Sequence, residues 1–149
     1  MKVKDCMCNK VYWVKPETTV TEVAKLMSTN HIGSVPICDG NNCLCGIVTD
    51  RDILLRTVAC NKNASQTPVS DIMTCTVCTC TQDDEVSNAE TKMSQKQIRR
   101  VPVCDDKNHV MGILTIGDLC QNEQKIGTQE VSRTLENICE CKANAQNAE

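Results

Sequence analysis

The 149-residue sequence predicts an α+β fold in which one supersecondary unit is used twice. Three observations carry that prediction. Residues 20–53 align without a gap onto residues 86–119 at a constant offset of 66, and self-similarity at a fixed period marks a repeated structural unit. Each copy runs through a helical period, two β-rich runs and a second helical start. The length suits two small repeats sharing a core and leaves no room for a large multi-domain enzyme.

The alignment pairs Ile32 with Ile98, the run Val35-Pro36-Ile37-Cys38-Asp39 with Val101-Pro102-Val103-Cys104-Asp105, and Gly46-Ile47-Val48-Thr49 with Gly112-Ile113-Leu114-Thr115. It also pairs Asp52 with Asp118, Asp5 with Asp71 and Met7 with Met73. Within the first copy, Thr19 and Glu22 form a capping-box pattern, and Val20, Val23, Ala24 and Met27 follow at helical spacing, so a helix is expected up to about Asn30. Residues 35–38 and 44–49 read as strands around the turn-forming Asp39-Gly40-Asn41-Asn42. A second helix is expected from about Asp50, turning Ile53, Leu54 and Val58 inward. The second copy repeats this with Val86, Ala89 and Met93, strands at 101–104 and 110–115, and a helix from about Ile116. Its first helix is less apolar, because Glu90 and Lys92 replace Ala24 and Leu26. Residues 11–14 and 77–80 read as short strands. The resulting division is a first repeat at 2–59, a polar linker at 60–68, a second repeat at 69–122 and a helical tail at 123–149, with Val131, Leu135 and Ile138 on one face and fraying after Cys141.

A net charge of −3 argues against a nucleic-acid partner, which calls for a clustered basic surface. No run of about 18 apolar residues is present and the N-terminus leads into no apolar signal core, so neither a membrane partner nor secretion is expected, and the expected location is cytoplasmic. Thirteen cysteines stand beside no phenylalanine, one tryptophan and one tyrosine. An odd number cannot pair completely, and without a secretory context free thiols acting as small buried hydrophobes are the expectation.

The repeated Gly-apolar-apolar-Thr-x-x-Asp, at 46–52 and 112–118, falls where a strand ends and a helix begins. Open backbone N–H groups at such a junction favour an anion. The hydroxyl of Thr49 or Thr115 would join them, and the carboxylate of Asp52 or Asp118 would accept both vicinal hydroxyls of a ribose. The same Thr-x-x-Asp is also a capping box that needs no ligand; its duplication inside the same unit favours the binding role.

These motifs, together with Ile32-Gly33-Ser34-Val35-Pro36-Ile37 and Ile98-Arg99-Arg100-Val101-Pro102-Val103, resemble tandem cystathionine-β-synthase-type (CBS) domains. Asp71-Ile72-Met73-Thr74 and the weaker Asp5-Cys6-Met7-Cys8 resemble the segment that opens each such domain. The resemblance covers about residues 2–122. It implies two β-α-β-β-α repeats packed through their sheets with pseudo-two-fold symmetry, association into a homodimer, and clefts that take an adenine nucleotide or S-adenosylmethionine as regulatory ligand. It places Asp52 and Asp118 on the ribose, Thr49 and Thr115 towards phosphate, Arg99 and Arg100 against phosphate, and Val35, Pro36, Val101 and Pro102 near the base. Arg51 is a further candidate charge. Trp13, at the position of Thr79, would stack on adenine, plug the cleft or fill the core. Gly33-Ser34 replaces Arg99-Arg100 in the first repeat, so the two clefts are expected to differ.

The expected role is that of a non-catalytic, ligand-sensing module that signals to a separate effector protein by conformational or oligomeric change. No cofactor is expected. Two alternatives stay open: a cysteine-based metal or redox protein, suggested by Cys6/Cys8, Cys43/Cys45, Cys75/Cys78/Cys80 and Cys139/Cys141, and a ligand-free scaffold. His31 and His109 hold non-equivalent positions with no nucleophile at a catalytic spacing, and no paired acid and base is found.

Overall fold

A computed structural model describes residues 1–140. The first repeat contains helix α1 (Val20–Asn30), strands β1 (Ser34–Cys38) and β2 (Leu44–Thr49), and helix α2 (Asp50–Ile53), which continues as a π-helix over Leu54–Val58. The second contains α3 (Val86–Lys96), β3 (Arg100–Cys104), β4 (Val110–Thr115) and α4 (Ile116–Gln121), followed by α5 (Glu123–Ile126) and α6 (Thr128–Cys139). Among the described residues the strands form two pairs, β1 with β2, which is antiparallel, and β3 with β4, the α+β arrangement expected.

Two compact units result, and they do not follow the sequence repeats. One holds residues 10–77 with 104–111; the other holds, among the described residues, 1–9, 78–103 and 112–140. The N-terminal nine residues thus join the unit that contains α3 and α4, and the segment 69–77 that opens the second repeat stays with the first. Each unit has its own apolar core. Val20, Val23, Val35, Ile37, Val48, Val69 and Ile72 form one, and Val3, Val86, Met93, Val101, Val103, Leu114 and Leu119 anchor the other.

Capping explains where α1 starts and stops. Glu22 N donates to Thr19 Oγ1 at 3.3 Å, Thr19 N donates to Glu22 Oε2 at 2.9 Å, and His31 ends the helix in the left-handed conformation, φ 52°. His31 is therefore a helix-end residue. The other histidine, His109, closes the β3–β4 turn by pairing Nδ1 with Asp105 Oδ2 at 3.0 Å.

Three local expectations change. Leu54 and Val58 point outward, at 56% and 63% exposure, and only Ile53 packs on the core, because the widened π turn rotates the following side chains away from it. That turn buries Thr57, whose hydroxyl has no partner among the described residues. The short strands at 11–14 and 77–80 reduce to single bridges, Val14 with Ile37 and Cys80 with Val103. In α6, Val131 and Ile138 are buried as expected, but Leu135 is exposed and Thr134 takes its place facing α3. The expected fraying after Cys141 lies outside the described residues.

Thr134 meets the one acidic side chain that α3 buries. Glu90 is 6% exposed and accepts from Thr134 Oγ1 at 3.3 Å, beside a polar groove of ≈ 330 Å³ shared by α3 and α6. Burial pushes its carboxyl above the ordinary glutamate value of 4.5, with the Thr134 hydrogen bond opposing and the Glu130 charge adding to the rise. A carboxyl raised on folding supports stability fully below its unfolded value and loses that support as pH rises through its folded value. Glu90→Gln is therefore expected to unfold at a higher temperature than the parent at neutral pH, with the difference closing as pH falls to about 4.5; thermal melts across that range check it.

Candidate functional site

Each second strand ends by handing its last residue to the following helix as N-cap, and the capping box closes from both sides. Asp52 N donates to Thr49 Oγ1 at 3.1 Å while Thr49 N donates to Asp52 Oδ2 at 3.0 Å. In the second repeat Asp118 N donates to Thr115 Oγ1 at 3.2 Å, and Asp118 Oδ2 accepts from Thr115 N at 2.7 Å and from Thr115 Oγ1 at 2.8 Å. Capping and ligand binding are thus not rival uses of these residues. The cap consumes one carboxylate oxygen and fixes the rotamer that presents the other.

The open cradle of N–H groups expected at the helix start is absent from the first repeat. Asp50 N donates to Gly33 O at 3.0 Å, Arg51 N to the Asp50 carboxylate at 2.8 Å, and the next two bonds are those of the capping box. In the second repeat Ile116 N donates to Arg99 O at 2.9 Å. In the first repeat an anion must therefore be held mainly by side chains.

The motif glycines serve the protein's own packing. A Cβ on Gly46 would lie 2.6 Å from Met73 Sδ and 3.0 Å from Thr74 O; on Gly112 it would lie 2.8 Å from Cys8 O and 3.0 Å from Met7 Sδ. The opening segment of one repeat therefore runs across the β2 or β4 strand of the other: Ile47 bridges Thr74, and Ile113 bridges Cys8. These segments floor the two half-sites.

In the first half-site, Ser34 faces Thr49 and Val35 faces Val48 across the β1–β2 pair, so Thr49, Asp52, Val35 and Pro36 share one end of the sheet. Val35 and Pro36 are buried. Trp13 is 38% exposed, which removes the core-filling role; it precedes Val14, whose N–H donates to Pro36 O at 3.2 Å. Arg51 is exposed and its side chain makes no hydrogen bond or ion pair among the described residues. The cation beside Asp52 is instead Arg56, a residue outside the repeated motif. Arg56 Nη2 lies 3.5 Å from Asp52 Oδ1, and Nη1 donates to Ile72 O at 2.8 Å and Thr74 Oγ1 at 3.1 Å. Its four-residue spacing from Asp52 was the available signal.

In the second half-site Val101 and Pro102 are buried, and Thr115 and Asp118 are half-buried. Arg100 is half-buried. Arg99 is exposed and reaches towards the tail, with Nη2 4.0 Å from Cys139 Sγ. Thr79 accepts from Lys92 Nζ at 2.7 Å through its carbonyl, and the next residue, Cys80, donates its N–H to Pro102 O. Cys6 lies close enough to Asp118 for that charge to add to burial in raising its thiol.

Cys38 and Cys104 occupy equivalent buried positions, as expected for core thiols. Burial first, then neighbouring thiols and Asp39, push Cys38 up to about 12; burial, then Asp105, push Cys104 up to about 11. Among the described residues no three His, Cys, Asp or Glu side chains are grouped to hold a metal ion. The Cys139/Cys141 pair extends outside the described residues.

Two segments, 3–58 and 69–124, match the model of the CBS domain. The chain belongs to the CBS domain family. It is 37% identical to the CBS domain-containing protein YhcV of Bacillus subtilis (strain 168) over 136 residues, 91% of this chain and 94% of that one. Among solved structures it resembles the CBS domain pair of protein MJ0100 in complex with 5′-methylthioadenosine and S-adenosyl-L-methionine, at TM-score 0.76 and 31% identity over 85% of this chain and 98% of that one. It also resembles CBSX2 in complex with AMP, at TM-score 0.73 and 26% identity over 84% and 97%. No helix among the described residues is long and apolar enough to cross a membrane.

Replacing Gly46 or Gly112 by alanine is expected to cost about 1–3 kcal/mol, because the CBS opening segments must retreat from the new methyl group. Denaturant unfolding checks it, with Gly40→Ala, where a Cβ meets nothing within 4 Å, as the neutral control.

Proposed function

We propose that this CBS pair is a regulatory, non-catalytic module that binds an adenosine-containing ligand through Asp52 and Asp118 and passes its occupancy to an effector protein. The observation that carries this is the reciprocal capping box. It holds each aspartate in one rotamer, with Oδ2 committed to the helix start. At Asp118 the second oxygen accepts from no group among the described residues. A fixed carboxylate oxygen suits a vicinal diol, because charge-assisted hydrogen bonds to an ionised acceptor are roughly twice as strong as neutral ones. The MJ0100 pair with its two adenosyl compounds and CBSX2 with AMP support the same ligand class.

Thr49 and Thr115 act on the phosphate side or hold the aspartates, Arg100 supplies charge to the second half-site, and Trp13 presents an exposed ring to an adenine in the first. Two copies of the module pair, and the ligand alters the relative stability of alternative arrangements, which it can do only by binding one more tightly than another. The effector reads that change.

Thermal unfolding of the reduced protein with AMP, ADP, ATP and S-adenosylmethionine tests this. A ligand at about 100 times its Kd is expected to add roughly 2.7 kcal/mol, a shift of several degrees for a chain of this size. Asp118→Ala is expected to abolish or halve that response. No shift with any of the four compounds, in protein that melts cooperatively, would overturn the proposal.

A further inference from the structure

The two ribose carboxylates sit in different electrostatic settings. Asp52 Oδ1 faces the guanidinium of Arg56 at 3.5 Å. The residue equivalent to Arg56 in the second repeat is Asn122, and its amide donates to the Asp118 backbone carbonyl at 2.9 Å, leaving the carboxylate without a cation at that position. Arg56 is also held in place independently of Asp52. Its Nη1 spends both hydrogens on Ile72 O and Thr74 Oγ1, anchoring it to the segment that floors the half-site. Of the five guanidinium N–H groups, those on Nε and one on Nη2 are left to another acceptor.

We infer that Arg56 is a specificity-determining residue that makes the Asp52 half-site select adenosine ligands carrying a negative charge, an inference that rests on the function proposed above. A carboxylate that holds a ribose repels a phosphate attached to it. At Asp52 the adjacent guanidinium offsets that repulsion and offers a planar donor pair, the geometry that phosphate accepts. An uncharged adenosine draws no such return, and must share Asp52 with the guanidinium. The Asp50 carboxylate, which caps Arg51 N, keeps the helix start itself unavailable to the phosphate, so the discrimination falls on Arg56.

The test is calorimetric titration of AMP and of adenosine into protein carrying Asp118→Asn, which confines ribose binding to the first half-site. At low ionic strength AMP is expected to bind at least about tenfold more tightly than adenosine. In the Asp118→Asn, Arg56→Gln protein that ratio is expected to fall within about threefold, with adenosine affinity equal or higher, while Arg56→Lys retains most of it. If the glutamine variant fails to melt cooperatively, Arg56→Met, which keeps the aliphatic stem, reads the same ratio. A ratio unchanged by removing the Arg56 charge, or near unity before it is removed, overturns the inference and leaves the adenosine reading standing. Failure of the parent protein to bind any adenosine compound overturns both.

Discussion

The reciprocal hydrogen bonding between a threonine and an aspartate three residues later is the constraint on which the rest depends. It ends β2 and β4, starts α2 and α4, and fixes the carboxylates on which the proposed ligand contact rests. The α-helical stretches it starts are four and six residues long. Without a side chain at each end of the cap, so short a helix would leave its first N–H groups to water. Stability and recognition therefore draw on the same atoms.

The motif glycine adds a second constraint. Each one lies under the opening segment of the other repeat, with Met73 and Thr74 over Gly46 and Met7 and Cys8 over Gly112. Those segments carry Ile72 O and Thr74, which anchor Arg56, and Cys6, whose thiol is raised by burial first and by the Asp118 charge second. The chain crossing is thus how each half-site acquires groups that its own repeat does not encode. It also makes the repeat boundaries of the sequence differ from the compact units of the fold.

Duplication preserved the cap and the glycine but not the surroundings. Asp52 faces an arginine where Asp118 has an asparagine turned to the backbone. Ala24 became Glu90, and the tail helix answers it with Thr134. A buried carboxyl with a single hydroxyl partner costs more than the alanine it stands for, so the second unit has spent stability at the face where α6 docks. The expectation of cysteines as buried hydrophobes holds for Cys38, Cys80 and Cys104, whereas Cys8, Cys60, Cys75, Cys120 and Cys139 are exposed, because their positions face away from the two cores. Buried thiols pushed to about 12 and about 11 at Cys38 and Cys104 form thiolates reluctantly, and behave as apolar side chains.

The sequence by itself determined the α+β class, the two repeats, the bounds of α1, β2 and β4, and the Thr-x-x-Asp pairs, because periodicity, capping and turn chemistry are local and appear twice. Tertiary structure alone decided the rest. The outward turn of Leu54 and Val58 follows from a π-helix that no residue type announces, and the buried state of Glu90 follows from a tail helix whose Thr134 lies 44 residues downstream in the chain. The choice between Arg51 and Arg56 has the same cause: both are basic and near Asp52 in the sequence, and only the carbonyl of Ile72 and the hydroxyl of Thr74, brought in from the second repeat, select which one faces the carboxylate.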